Sequence, residues 1–125
     1  MSESNCGVCL YEPDGDAADV WNEKIVKAKK PCKCIECGKE IAKGEKYERV
    51  EMLFDDSWTT MRSCLICREI SKAFSCDSRY IGGLWDRMEY VYESLTTACF
   101  DRLTTPEAKA ELRRRWMVYK GLVQP

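Results

Sequence analysis

The apolar positions of this chain change period along its length, and each period predicts a different element. Between Lys46 and Phe54, Val50, Met52 and Phe54 alternate with polar neighbours, the period of a half-buried strand. Asp55-Asp56-Ser57 reads as a turn and Trp58 to Arg62 as the returning strand. From Cys64 the spacing becomes helical, with Ile66, Ile70, Ala73 and Phe74 on one stripe. After a glycine turn at Gly82-Gly83, a second helical face runs through Leu84, Met88, Val91, Tyr92 and Leu95. The last helix is fully signposted: Thr105 as N-cap, Pro106 at the first helical position, Glu107 in the first turn and Gly121 past the end. Its core stripe is Ala108, Leu112, Trp116 and Tyr119. Upstream, Asp16 is placed to cap a helix from Ala17 to Lys30, with Trp21, Ile25 and Ala28 on one face and Pro31 as its stop. These elements predict one α+β domain over 1–125. It comprises a Cys-bearing N-terminal loop (1–15), a helix (16–31), a metal finger (32–75) and a helical C-terminal part (76–125).

Composition alters this picture little. The chain is 45% hydrophobic and 33% charged, ordinary for a water-soluble domain. It has no apolar run of about 18 residues, and Met-Ser-Glu-Ser-Asn lacks the basic and apolar regions of a signal peptide. The expectation is therefore a cytoplasmic protein that does not enter a membrane. Net charge is −1 with thiols counted as neutral; each dication on four thiolates would add a further −2. The first twenty residues carry Glu3, Glu12, Asp14, Asp16 and Asp19 and no base. There is no domain-wide basic field to imply tight nonspecific DNA binding. Two local clusters remain as nucleic-acid candidates: Lys27, Lys29, Lys30 and Lys33, and the run Arg113-Arg114-Arg115. The plainer reading of each is a solvated helix end or face, and a helix C-terminus itself favours cations.

The cysteines change the picture most. There are nine, and no histidine. Six form Cys-x-x-Cys pairs: Cys6 with Cys9, Cys34 with Cys37, and Cys64 with Cys67. Without a secretory signal, tight pairs point to metal rather than disulfides, and an odd count weighs against a disulfide scaffold. Two pairs supply the four thiolates of a closed tetrahedral zinc shell, which is structural rather than catalytic. Cys34, Cys37, Cys64 and Cys67 form the expected first site, with a hairpin between the two pairs. A redox Cys-x-x-Cys would need a βαβ context that is not visible. Cys6 and Cys9 form half of a possible second zinc site, completed by Cys76 and Cys99, with Cys32 as a spare. Such residues can equally be small apolar core positions.

Catalysis is argued down. Without histidine there is no Ser-His or Cys-His pair. One enzymatic alternative is a zinc-dependent nucleobase deaminase, with Cys34, Cys64 and Cys67 on the metal and Glu36 shuttling protons. Against it, Ser63 stands where that pattern has proline, and Cys37 would occupy the position water needs.

The segment Lys33-Cys-Ile-Glu-Cys-Gly-Lys-Glu-Ile-Ala-Lys-Gly-Glu-Lys-Tyr-Glu-Arg-Val50, followed by Trp58, Cys64-Leu-Ile-Cys67 and Gly83-Leu84-Trp85, resembles small zinc-finger proteins encoded by tailed phages and prophages. The similarity extends from about residue 20 to about residue 88. Knuckle, hairpin and helix also follow the order of a treble-clef finger. The resemblance implies a zinc-stapled phage protein in the host cytoplasm that binds a host or defence protein complex, as an accessory factor or inhibitor, without catalysis. Nucleic-acid binding through the lysine and arginine clusters is the alternative.

Overall fold

The computed structural model describes residues 6–10, 19–75 and 81–124. Among them the fold is α+β. A three-stranded antiparallel sheet has the order β1-β4-β5, with β1 Val20–Lys27, β4 Lys46–Phe54 and β5 Ser57–Cys64. A two-stranded ribbon pairs β2 (Cys32–Lys33) with β3 (Glu40–Ile41). Four helices follow: α1 Leu65–Phe74, α2 Leu84–Met88, α3 Thr97–Phe100 and α4 Pro106–Tyr119, with a single 3₁₀ turn at Tyr92–Ser94.

The expected helix over 16–31 is corrected: its described part is strand β1. All eight of its residues pair with β4, from Val20 opposite Leu53 to Lys27 opposite Lys46. Val20, Ile25 and Val26 are β-branched and suit a pleated surface, and Trp21, Glu23 and Ile25 lie on one face at period two. The Trp21-Ile25-Ala28 spacing fits a helix as well, and cross-strand pairing decides between them. Asp16, the expected cap, lies outside the described residues.

The β4–β5 hairpin follows the expected alternation. Asp55 and Asp56 take φ of +45° and +65°, the left-handed pair of a two-residue hairpin turn that Asp tolerates. Val50 and Met52 are buried under the sheet. α1 is tied to it by the ion pair of Arg68 with the buried Glu48 (3.2 Å) and by Lys72 with Glu23 (2.9 Å).

The apolar face expected over Leu84–Leu95 is inward-facing as read: Leu84, Met88, Tyr92 and Leu95 are all buried. Its backbone is broken into α2 and the 3₁₀ turn rather than one helix. α4 matches the sequence at both ends. Thr105 accepts a hydrogen bond from the Ala108 N–H, and Gly121, at φ +76°, closes the helix with bonds from Gly121 N–H to Val118 O and from Leu122 N–H to Met117 O.

The segment 6–10 is more than a loop. Cys6, Val8 and Leu10 are buried alternately and belong to the same core cluster as Phe74 and Leu103, and the Leu10 N–H bonds Phe74 O at 2.8 Å. Arg102 reaches over the Phe74 ring (5.5 Å to its centroid) and donates to the carbonyls of Val8 (2.8 Å), Ala73 (3.3 Å) and Cys6.

Candidate metal centre

Two elements deliver four sulfurs to one point. Cys34 and Cys37 lie on the knuckle between β2 and β3, where the Gly38 N–H bonds Cys34 O (2.9 Å) and Gly38 takes φ +74°, a conformation glycine adopts without steric cost. Cys64 ends β5 and caps α1, and Cys67 sits in the first turn of that helix. The backbone bond from Ile35 N–H to Arg62 O (2.7 Å) docks the knuckle onto β5. The four Sγ atoms all lie within 4.8 Å of one another, and Cys37 and Cys64 are 3.9 Å apart. A tetrahedron with bonds of about 2.3 Å has edges of about 3.8 Å, so this donor set can hold one metal ion. Amide N–H groups point at the sulfurs, Glu36 N–H to Cys34 (3.4 Å) and Cys67 N–H to Cys64 (3.5 Å).

The electrostatics call for a cation. Hydrogen bonds from Cys64 and Cys67 hold the Cys34 thiol far below the usual thiol range. The same bonds, with burial added, push Cys64 up to about 12 and Cys67 higher still. A dication supplies the attraction that lets all four ionise. Lys39, Arg114 and Arg115 line a recess of about 260 Å³ beside Cys37, Cys64 and Cys67, positive charge next to an anionic shell.

Glu36 lies outside the four-sulfur group. Its carboxylate accepts from the N–H groups of Gly82 (2.9 Å) and Leu84 (3.0 Å), joining the knuckle to the start of α2. Burial raises its carboxyl above the usual range in spite of those donors. This is the geometry of a backbone clamp, which differs from the proton-shuttle placement of the deaminase alternative.

The expected second zinc shell is corrected. Cys6 is bonded to Cys99, S–S 2.09 Å, and Cys9 is also in a disulfide. Sulfur in a disulfide offers no thiolate to a metal. Cys76 lies outside the described residues. Cys32 is a half-buried free thiol opposite Ile41 in the ribbon, apart from the four-sulfur group. Searches of protein-family models, curated proteins and solved structures find no match to this chain.

The basic candidates separate in space and in partners. Lys27, Lys29, Lys30 and Lys33 are exposed around the end of β1 and the ribbon, and none is ion-paired among the described residues. Arg114 and Arg115 both bond Glu111 (2.7 and 2.6 Å), and Arg115 also stacks 4.0 Å over Trp85. Arg113 projects outward. The Arg102 clamp and the Glu36 contacts carry no sequence signature, because their partners are backbone atoms distant in the chain. No described helix is long and apolar enough to cross a membrane.

Proposed function

We propose that this chain is a zinc-stapled, non-catalytic module that acts by binding a protein partner, and the phage resemblance points to a host or defence complex. The observation that carries the reading is the convergence of Cys34, Cys37, Cys64 and Cys67. Four thiolates fill a tetrahedral shell and leave no position for a reactive water, the chemistry of a structural zinc. The order of knuckle, β4–β5 hairpin and α1 supports a treble-clef-like finger. The Glu111 bonds to Arg114 and Arg115 favour a protein partner, since those cations are already partly neutralised. A nucleic-acid reading rests on Lys27, Lys29, Lys30 and Lys33, exposed and not ion-paired among the described residues.

Elemental analysis of protein purified without chelator should find zinc, and Cys37→Ser should lose it together with the order of the β4–β5 hairpin, because thiolate ligation is coupled to folding. An affinity pulldown from host lysate, with and without nuclease, then separates the two readings. Capture that survives nuclease supports the protein partner. Capture abolished by nuclease transfers the role to the lysine cluster, and absence of zinc overturns the metal assignment.

A further inference from the structure

We propose that the groove between α3 and α4 is the docking site for an acidic amphipathic helix of the protein partner, an inference that rests on the protein-binding reading above. A surface helix ordinarily carries one apolar stripe and turns polar residues to water. α4 carries two. Ala108 and Leu112 are buried in the core, with Trp116 half-buried beside them, its Nε1–H on Tyr92 O (3.2 Å). Ala110 stands two positions from each, about 200° around the axis. With Pro106 and Met117, and with Phe100 of α3, it lines an open, mostly apolar groove of about 690 Å³. A groove of this volume and lining is of ligand-binding size.

The rim specifies the sign of the occupant. Lys109 and Arg113 edge the groove, both exposed and neither ion-paired among the described residues. Arg114, by contrast, is fixed by Glu111. Asp101 is the one acid among the described lining residues. This leaves a locally positive rim on a chain whose net charge is −1. The rim therefore complements carboxylates flanking an apolar stripe. The occupant's backbone is equally constrained. Among the described residues no strand edge lines the groove, so an incoming segment finds no partner there for its own N–H and C=O groups and must satisfy them internally, as a helix does. From Pro106 to Met117 the groove runs about 17 Å, three turns of such a helix. A nucleic acid would meet mainly apolar atoms there.

The test uses two synthetic helical peptides of about 15 residues, each with leucine at i, i+4, i+7 and i+11. One carries glutamate flanking the stripe and the other lysine. Isothermal titration should show saturable binding of the glutamate peptide to the zinc-loaded protein and roughly tenfold or weaker binding of the lysine peptide. The double variant Lys109→Glu/Arg113→Glu should invert that preference. Ala110→Trp, at an exposed position, should fill the groove and abolish binding of both, with the melting temperature and zinc content of wild type. Wild-type protein that binds neither peptide, or both equally, overturns the proposal. So does a double variant with unchanged preference, or displacement of the glutamate peptide by single-stranded oligothymidylate. If Ala110→Trp protein still captures a nuclease-resistant partner from lysate, the groove assignment falls while the protein-binding reading stands. If wild type captures nothing, that reading falls whatever the peptides do.

Discussion

Replacing Arg102 by Ala removes a side chain that holds segment 6–10 to α1. The loss can be worked from its contacts. Arg102 makes three hydrogen bonds to carbonyls of Cys6, Val8 and Ala73 and lies 5.5 Å over Phe74. At about 1 kcal/mol net for each bond and about 0.5–1 kcal/mol for a partly exposed cation–π contact, the variant should lose about 3–4 kcal/mol. For a chain of this size that corresponds to a melting temperature lower by about 10–15 °C. The Cys6–Cys99 disulfide holds the same segment, so the two tethers are coupled. With the disulfide intact, the segment should stay docked in Arg102→Ala. With reductant present, it should detach. Hydrogen exchange at the Leu10 amide, bonded to Phe74 O, reads this directly: slow in wild type with or without reductant, fast in the reduced variant. An Arg102→Ala protein melting within about 2 °C of wild type, or a Leu10 amide that remains protected in the reduced Arg102→Ala variant, refutes the reasoning.

Two further outcomes follow from other contacts. The Cys6–Cys99 bond spans a sequence separation of 93, for which the loop-entropy argument gives about 4–5 kcal/mol; Cys6→Ser/Cys99→Ser should lower the denaturation midpoint accordingly, and identical midpoints would remove the disulfide from the account of stability. Glu69 accepts bonds from the Thr104 and Thr105 N–H groups and from both hydroxyls at the head of α4. Burial raises its carboxyl, but these donors outweigh burial and hold it below its ordinary value of 4.5. A depressed pKa means the contribution is present above the unfolded value and lost as pH falls through the folded one. Stability should therefore drop more between about pH 6 and about pH 3 in wild type than in Glu69→Gln, and equal slopes by chemical denaturation would contradict this.

What the sequence revealed divides along physical lines. The hairpin, α1, α4 and the four-cysteine group were legible because their signals are local: a two-residue period, a cap, or a pair of thiols at fixed spacing. The strand at Val20–Lys27 was not, because Trp21, Ile25 and Ala28 satisfy helical spacing and only pairing with β4 settles the conformation. The break between α2 and the 3₁₀ turn was hidden for a related reason. Leu84, Met88, Tyr92 and Leu95 face inward whichever backbone carries them, so periodicity fixed their burial and left the path of the chain open. Cys6 and Cys99 illustrate a third limit. Spacing shows that thiols are available, and only three-dimensional placement shows whether they meet one another or a metal.

The separation of the thiols into a four-sulfur group and a disulfide also bears on the order in which the chain must mature. The ligands of the first group all lie between Cys34 and Cys67, so they are complete early in synthesis, while Cys6 must wait for Cys99. In that interval Cys6 can meet every other thiol between Cys32 and Cys67. A metal captured by the four would act on them as a protecting group does in synthesis, masking four of the nine thiols from oxidation and leaving Cys6 to find its partner in a smaller field.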